Sequence, residues 1–196
     1  MDDDGKRPPG KWRNTQGQQS PRKAPPRTRQ PPTPRPVTES YLRNSAMHYL
    51  SQRAASTSML RQTLVRRAKR RLCQQSLPEE IGERIDTTIA NLVKLGLIND
   101  DTFAANRAAS LVRKGFSKRR IEQGLHAKGI KGERAARAIG DDLDELAQAR
   151  LFSERKRLGP WRRSAATPET HQKDLRAMAR AGFSLSVARL ALKPED

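Results

Sequence analysis

Apolar residues recur along this chain at intervals of three and four, with almost no stretch in which they alternate with polar ones, so the pattern predicts helices and not strands. A first helix is expected over about Glu39 to Arg53, with Tyr41, Leu42, Ala46, Tyr49 and Leu50 on its apolar side. Ser58 can cap a second, in which Leu60, Leu64, Ala68 and Leu72 fall four residues apart. Ser76-Leu77-Pro78-Glu79 has the spacing of a capping box with proline in the tolerant first turn. The third helix it opens carries Ile81, Ile85, Ile89, Leu92 and Val93 as its buried stripe and closes at Gly96.

The middle of the chain is punctuated more clearly. Asp100 or Asp101 can accept the free N–H groups of a helix bearing Phe103, Ala104, Ala108, Leu111 and Val112, which Gly115 ends. A second helix starts with Ser117 as N-cap, buries Ile121 and Leu125, and finishes at Gly129, with Ile130 placed for the hydrophobic contact of a Schellman close. Farther on, Thr167-Pro168, Leu175, Met178 and Ala179 repeat the theme of a cap ahead of a basic amphipathic helix. Lys128-Gly129-Ile130 and Ala181-Gly182-Phe183 each precede a short alanine-containing helix, ending on Ile139 or Leu190. Gly159 to Pro168 reads as a loop inserted in the last unit. The expectation is an all-α fold of tandem three-helix repeats, spanning 39–98, 99–141 and a degenerate 142–196. Such units hide little apolar area alone and must stack, which predicts an elongated, curved body.

Residues 1–38 break the pattern. They hold nine of the thirteen prolines and show neither helical nor strand periodicity, so they are expected to form a disordered Pro/Arg-rich arm. Nine Lys or Arg residues there outnumber Asp2, Asp3 and Asp4. The arm reads either as a tether touching nucleic acid, with Trp12 able to stack on a base, or as a solvated tail.

Across the whole chain 40 Lys and Arg face 21 Asp and Glu, a formal charge of +19, which points to a polyanionic partner. A membrane is the weakest candidate, because no apolar run is long enough to span one and the N-terminus lacks the apolar core of a signal peptide; a cytoplasmic location is expected. Cys73 stands alone, so no internal disulfide can form. Three basic clusters are candidate contacts: Arg66, Arg67, Lys69, Arg70 and Arg71; Arg113, Lys114, Lys118, Arg119 and Arg120, with Lys128 nearby; and Arg155, Lys156, Arg157, Arg162 and Arg163. Successive residues on a helix face about 100° apart, so each cluster wraps its helix and only part of it can meet one partner.

Enzymatic chemistry finds no foothold. His48, His126 and His171 are far apart, one cysteine supplies one thiolate, and neither a phosphate-binding glycine loop nor a nucleophile elbow occurs. Asp141, Asp142, Asp144 and Glu145 form an acidic cluster whose expected role is to cap the helix bearing Leu143, Leu146 and Leu151. No catalytic residue, metal ligand or cofactor is expected.

One segment carries a resemblance. Ile98-Asn99-Asp100-Asp101, Phe103-Ala104, Lys114-Gly115, Arg119-Arg120-Ile121, Leu125 and Lys128-Gly129-Ile130 together resemble the RecX family. That resemblance implies a small all-helical regulator that binds the RecA recombinase filament on single-stranded DNA and usually suppresses it. On this reading the protein is a monomer lying in the filament groove, where it hinders ATP turnover, strand exchange and subunit addition. Arg113, Lys114, Lys118, Arg119, Arg120 and Lys128 would supply charge-assisted contacts. The alternative is an autonomous helix-turn-helix DNA-binding protein, with the helix after Ser117 in the major groove and Arg119 and Arg120 reading bases.

Overall fold

The computed structural model describes residues 33–165 and 167–194; the expected arm over 1–32, Trp12 included, lies outside the described residues. The described chain is helical and carries no strand. Helices α1 (Glu39–Leu50), α2 (Thr57–Leu72) and α3 (Glu79–Lys94) pack on one another, as do α4 (Asp100–Val112), α5 (Lys118–His126) and α6 (Gly132–Ile139). The third set is α7 (Glu145–Lys156), a 3-10 turn at Gly159–Trp161, α8 (Pro168–Arg180) and α9 (Leu185–Ala191).

Each set has its own apolar core. Leu42, Leu60, Leu64 and Ile85 are sealed in the first, Ile121, Leu125 and Ile130 in the second, and Met178 with Phe152 and Phe183 fill the third. Phe116, in the α4–α5 turn, packs against both the second and the third core. Helices of seven to sixteen residues are marginal in isolation, so these apolar faces and not intrinsic propensity hold them folded.

Several helix starts differ from the sequence expectation, two of them for the same reason. Ser56, not Ser58, caps α2: its hydroxyl accepts the Met59 N–H and also donates to the Lys128 carbonyl. Asn99 caps α4, accepting N–H bonds from Asp101 and Thr102 at 2.9 Å each, while Asp100 turns to Thr57 and Asp101 to Arg134. Ser76 makes no capping box; α3 begins after Pro78 without a side-chain cap. At the starts of α2 and α4, two or three cap-capable residues stand close together, and a partner remote in sequence decides which is used. Residues 33–38, expected within the arm, are instead tied to the fold: Arg35 N–H bonds the Arg71 carbonyl at 2.9 Å and Val37 is buried on the first core.

Other signals hold as written. Ser117 caps α5 by accepting the Arg120 N–H at 3.1 Å, and the Ile130 N–H closes back on the Leu125 carbonyl. Gly96 similarly lets Leu97 N–H reach the Leu92 carbonyl. Asp144 caps α7, and Thr167 with Thr170 forms a capping box on α8.

The three sets are joined by a seam that is built twice. The serine capping α2 and the serine capping α5 are both fully buried, and each donates its hydroxyl to the carbonyl just before a glycine in the following set: Ser56 to Lys128, before Gly129, and Ser117 to Ala181, before Gly182. The next residue donates its N–H to a carboxylate in the first turn of that following set, Thr57 to Asp100 and Lys118 to Glu145, each at 2.8 Å. A methyl group added at Gly129 would stand 2.2 Å from the Ser58 side chain, and one at Gly182 would stand 2.2 Å from the Ser117 hydroxyl. At the corresponding place in the third set, Thr167 is followed by Pro168, which has no N–H to give.

One ion pair links α2 to α3 at the surface, Arg61 Nε to Asp86 at 2.6 Å. The Arg61 hydrogen bond, and to a smaller extent its charge, holds the Asp86 carboxyl below its ordinary range, and the same pair raises the arginine. A carboxyl depressed in the folded state adds stability above its unfolded value and loses it as pH falls through the folded one. Both side chains are half exposed, so the effect is small. Asp86→Asn is expected to cost less than about 1 kcal/mol at neutral pH and nothing once pH has fallen through the depressed folded-state titration of Asp86, read as converging urea midpoints on acidification.

Candidate functional site

The fold sorts the basic residues into those it uses and those it leaves outside. On α2, Arg67 donates to the Ser45 carbonyl at 2.8 Å, and Arg71 donates to the Pro36 carbonyl while its guanidinium lies 4.1 Å from the Tyr41 ring centre. These two hold α1 and the chain ahead of it in place. Arg66 and Arg70 face solvent, and Lys69 is half-buried. Lys128 is half-buried as well, its carbonyl committed to Ser56.

At the α4–α5 turn, Arg113, Lys114, Arg119 and Arg120 are exposed. Lys118 is half-buried and pairs at 3.7 Å with Asp141, whose side chain is almost wholly in solvent, so the pair is weak. Across the seam, Arg155 of α7 donates to the Arg113 carbonyl at 2.6 Å, which brings the second and third sequence clusters side by side. Arg162 does not join them: it pairs with Asp174, a buried carboxylate that also accepts the Gly159 N–H at 2.9 Å, and so ties down the loop after α7.

Sequence reasoning missed Arg180. It stands in the last turn of α8, where a basic residue reads as an ordinary complement to the helix dipole. The fold carries it beside Arg120 and Lys156, around a cleft of about 370 Å³ between α5, α7 and α8. Arg120, Lys156 and Arg180 thus share one cleft, contributed by α5, α7 and α8, while Arg113, Lys114, Arg119 and Arg155 are exposed nearby in the chain. Like charges this close repel, and a polyanion relieves that repulsion on binding.

Three acidic residues at helix starts serve the scaffold. Asp144 accepts the Leu146 and Ala147 N–H groups, Glu145 accepts from Lys118, and Asp100 accepts both the N–H and the hydroxyl of Thr57. Among the described residues no three His, Cys, Asp or Glu side chains are grouped so as to hold a metal ion, and no helix is long and apolar enough to cross a membrane.

An all-helical protein of three-helix units, stapled by a repeated serine–glycine seam and with a cluster of cations around the cleft between α5, α7 and α8, is a helical scaffold with a cationic patch. The family model described as RecX, second three-helix domain, matches residues 99–139, which spans the α4–α6 set. The chain is 40% identical to the regulatory protein RecX of Myxococcus xanthus over 171 residues, covering 82% of this chain and 89% of that protein. It is 29% identical to the RecX of Agrobacterium fabrum over 148 residues, 76% of this chain and 79% of that one. The chain belongs to the RecX family of regulatory proteins. A crystal structure of RecX from Lactobacillus salivarius superposes with a TM-score of 0.56 at 20% identity, covering 79% of this chain and 94% of that one. Another RecX crystal structure gives 0.58 at 20% identity, over 78% of this chain and 70% of that one. At such identity these two likenesses speak for the fold.

Proposed function

We propose that this protein is a regulator of the RecA recombinase, acting in DNA repair and recombination by binding the RecA filament on single-stranded DNA and restraining it. Family membership supports RecA as the target, and the surface shared by the α4–α5 turn and α7 supports a polyanionic nucleoprotein as the ligand. The observation that carries the reading is the grouping of Arg120, Lys156 and Arg180 around one cleft, with Arg155 bonded across to the Arg113 carbonyl beside the exposed α4–α5 turn. Carboxylates of recombinase subunits and phosphates of the strand can both meet such a face through charge-assisted hydrogen bonds. A monomer seated in the filament groove, in the cytoplasm, would block duplex DNA and hinder ATP turnover and subunit addition, lowering filament stability.

The alternative, a free-standing helix-turn-helix reader, asks α5 to offer its N-terminal residues to base edges. The first turn of α5 is partly committed to the scaffold, with Ser117 buried on Ala181 and the Lys118 N–H bonded to Glu145, while Arg119 and Arg120 stay exposed. Changing Arg113, Lys114 and Arg119 together to Ala is expected to weaken inhibition of recombinase ATP hydrolysis on single-stranded DNA by about tenfold or more, with helicity unchanged. Full inhibition by this variant would remove the turn from the site. Selective binding of one duplex sequence by the native protein would favour the helix-turn-helix reading.

A further inference from the structure

The cleft between α5, α7 and α8 has a construction that a general affinity for polyanions does not require. Its inner surface is apolar: Phe116, Phe152 and Leu158 line it, and the small Ala177 and Ala181 leave the room. Its charged lining is purely cationic, with Arg120 from α5, Lys156 from α7 and Arg180 from α8 and no acidic side chain. All three cations are exposed, and none forms an ion pair within the described residues. At about 370 Å³ it lies at the small end of the size range of ligand clefts.

An apolar lining rimmed by cations that no carboxylate among the described residues neutralises selects a ligand having the inverse pattern. A nucleotide would satisfy the cations, but its base needs an open aromatic face to stack on. Phe152 is only 6% exposed, Phe116 is half-buried, and their rings, 5.8 Å apart, are tilted by 43° and form no flat platform. The apolar surface left open, on Phe116, Leu158 and Ala177, suits contact with an aliphatic or aromatic side chain better than a stacked base. We propose that this cleft is a peptide-recognition site for an acidic segment of a partner protein, which lays one bulky apolar side chain against the half-buried Phe116, Leu158 and Ala177 while its flanking carboxylates meet Arg120, Lys156 and Arg180. An apolar anchor in a desolvated pocket supplies the affinity, and the surrounding charge pairs set orientation and encounter rate. The site rests on the cationic face proposed above and deepens that reading, because it names the peptide chemistry that Arg120, Lys156 and Arg180 would select.

The test uses the full chain and a fluorescein-labelled peptide of Asp, Glu and Gly with one central Phe, followed by anisotropy at physiological salt. Its controls are the same peptide with Ala for Phe and an oligothymidylate of similar charge. The Phe peptide is expected to bind about tenfold or more tightly than the Ala peptide. Lys156→Glu with Arg180→Glu, both at exposed positions, is expected to weaken Phe-peptide binding by at least about tenfold. Ala177→Trp fills the cleft and is expected to erase the preference for Phe; should this variant melt early, the charge-reversed variant decides alone. Equal binding of the Phe and Ala peptides would overturn the proposal. So would charge reversal that weakens the oligothymidylate and spares the peptide. Because recombinase is absent, the outcome is separate from that of the ATPase assay.

Discussion

Replacing Ile121 by Asp is expected to unfold the α4–α6 set and to lower the urea midpoint far more than a change of any surface charge. Ile121 is fully buried, and with Leu125 it supplies the buried apolar anchors of a nine-residue helix. A helix so short has no independent stability. The new carboxyl would have no partner in that core, at a cost of several kcal/mol, roughly. Loss of α5 would also release Ser117 from Ala181 and Lys118 from Glu145, so the third set would lose part of its attachment. Ile121→Val keeps the shape and removes one methylene, for about 1 kcal/mol. Circular dichroism through a urea titration reads both; an Asp variant that kept the native midpoint would mean that α5 contributes little to the fold.

The second large effect is expected at the seam. Gly182 has φ +94°, and a methyl group there would sit 2.2 Å from the Ser117 hydroxyl and 3.0 Å from the Arg120 Cβ. The hydroxyl cannot simply turn away, because it caps α5 at the Arg120 N–H and donates to the Ala181 carbonyl. Gly182→Ala therefore combines backbone strain with a contact that must displace a buried, doubly bonded group, and about 2–4 kcal/mol is expected. Gly96→Ala is the matched control: its φ is +71°, and nothing lies within 4 Å of the added carbon, which leaves only the backbone term of about 1–2 kcal/mol. Thermal midpoints should fall by roughly 2–4 °C per kcal/mol in a domain of this size. Equal drops for the two variants would show that the seam yields freely and that Ser117 is not a fixed strut.

How far the residues announce the fold depends on whether a signal is local. The turn from Leu125 to Ile130 was legible because a helix ending on glycine with an apolar residue after it closes through bonds between near neighbours. The α2 start was not, because Ser56 and Ser58 are equivalent caps until Lys128 presents its carbonyl to one of them. Asn99, Asp100 and Asp101 present the same ambiguity, resolved by Thr57 and Arg134. Helix α2 ends on Cys73 and α7 on Arg157, both left-handed without being glycine, so neither end carried its usual mark. At the candidate site the basic clusters were visible as composition, but their selection was not: Arg67, Arg71 and Arg162 are spent on the scaffold, and Arg180 gains its place only from packing.

By itself, then, the order of residues determined that the chain is helical, where most of its apolar faces lie, and that its surplus is positive, since each follows from spacing or from counting. Only the tertiary structure decided how the sets of helices lock together and which cations stay free. The hydroxyl bonds that make the two seams join residues 72 and 64 positions apart, and contacts at such separations leave no period along the chain from which they could be read.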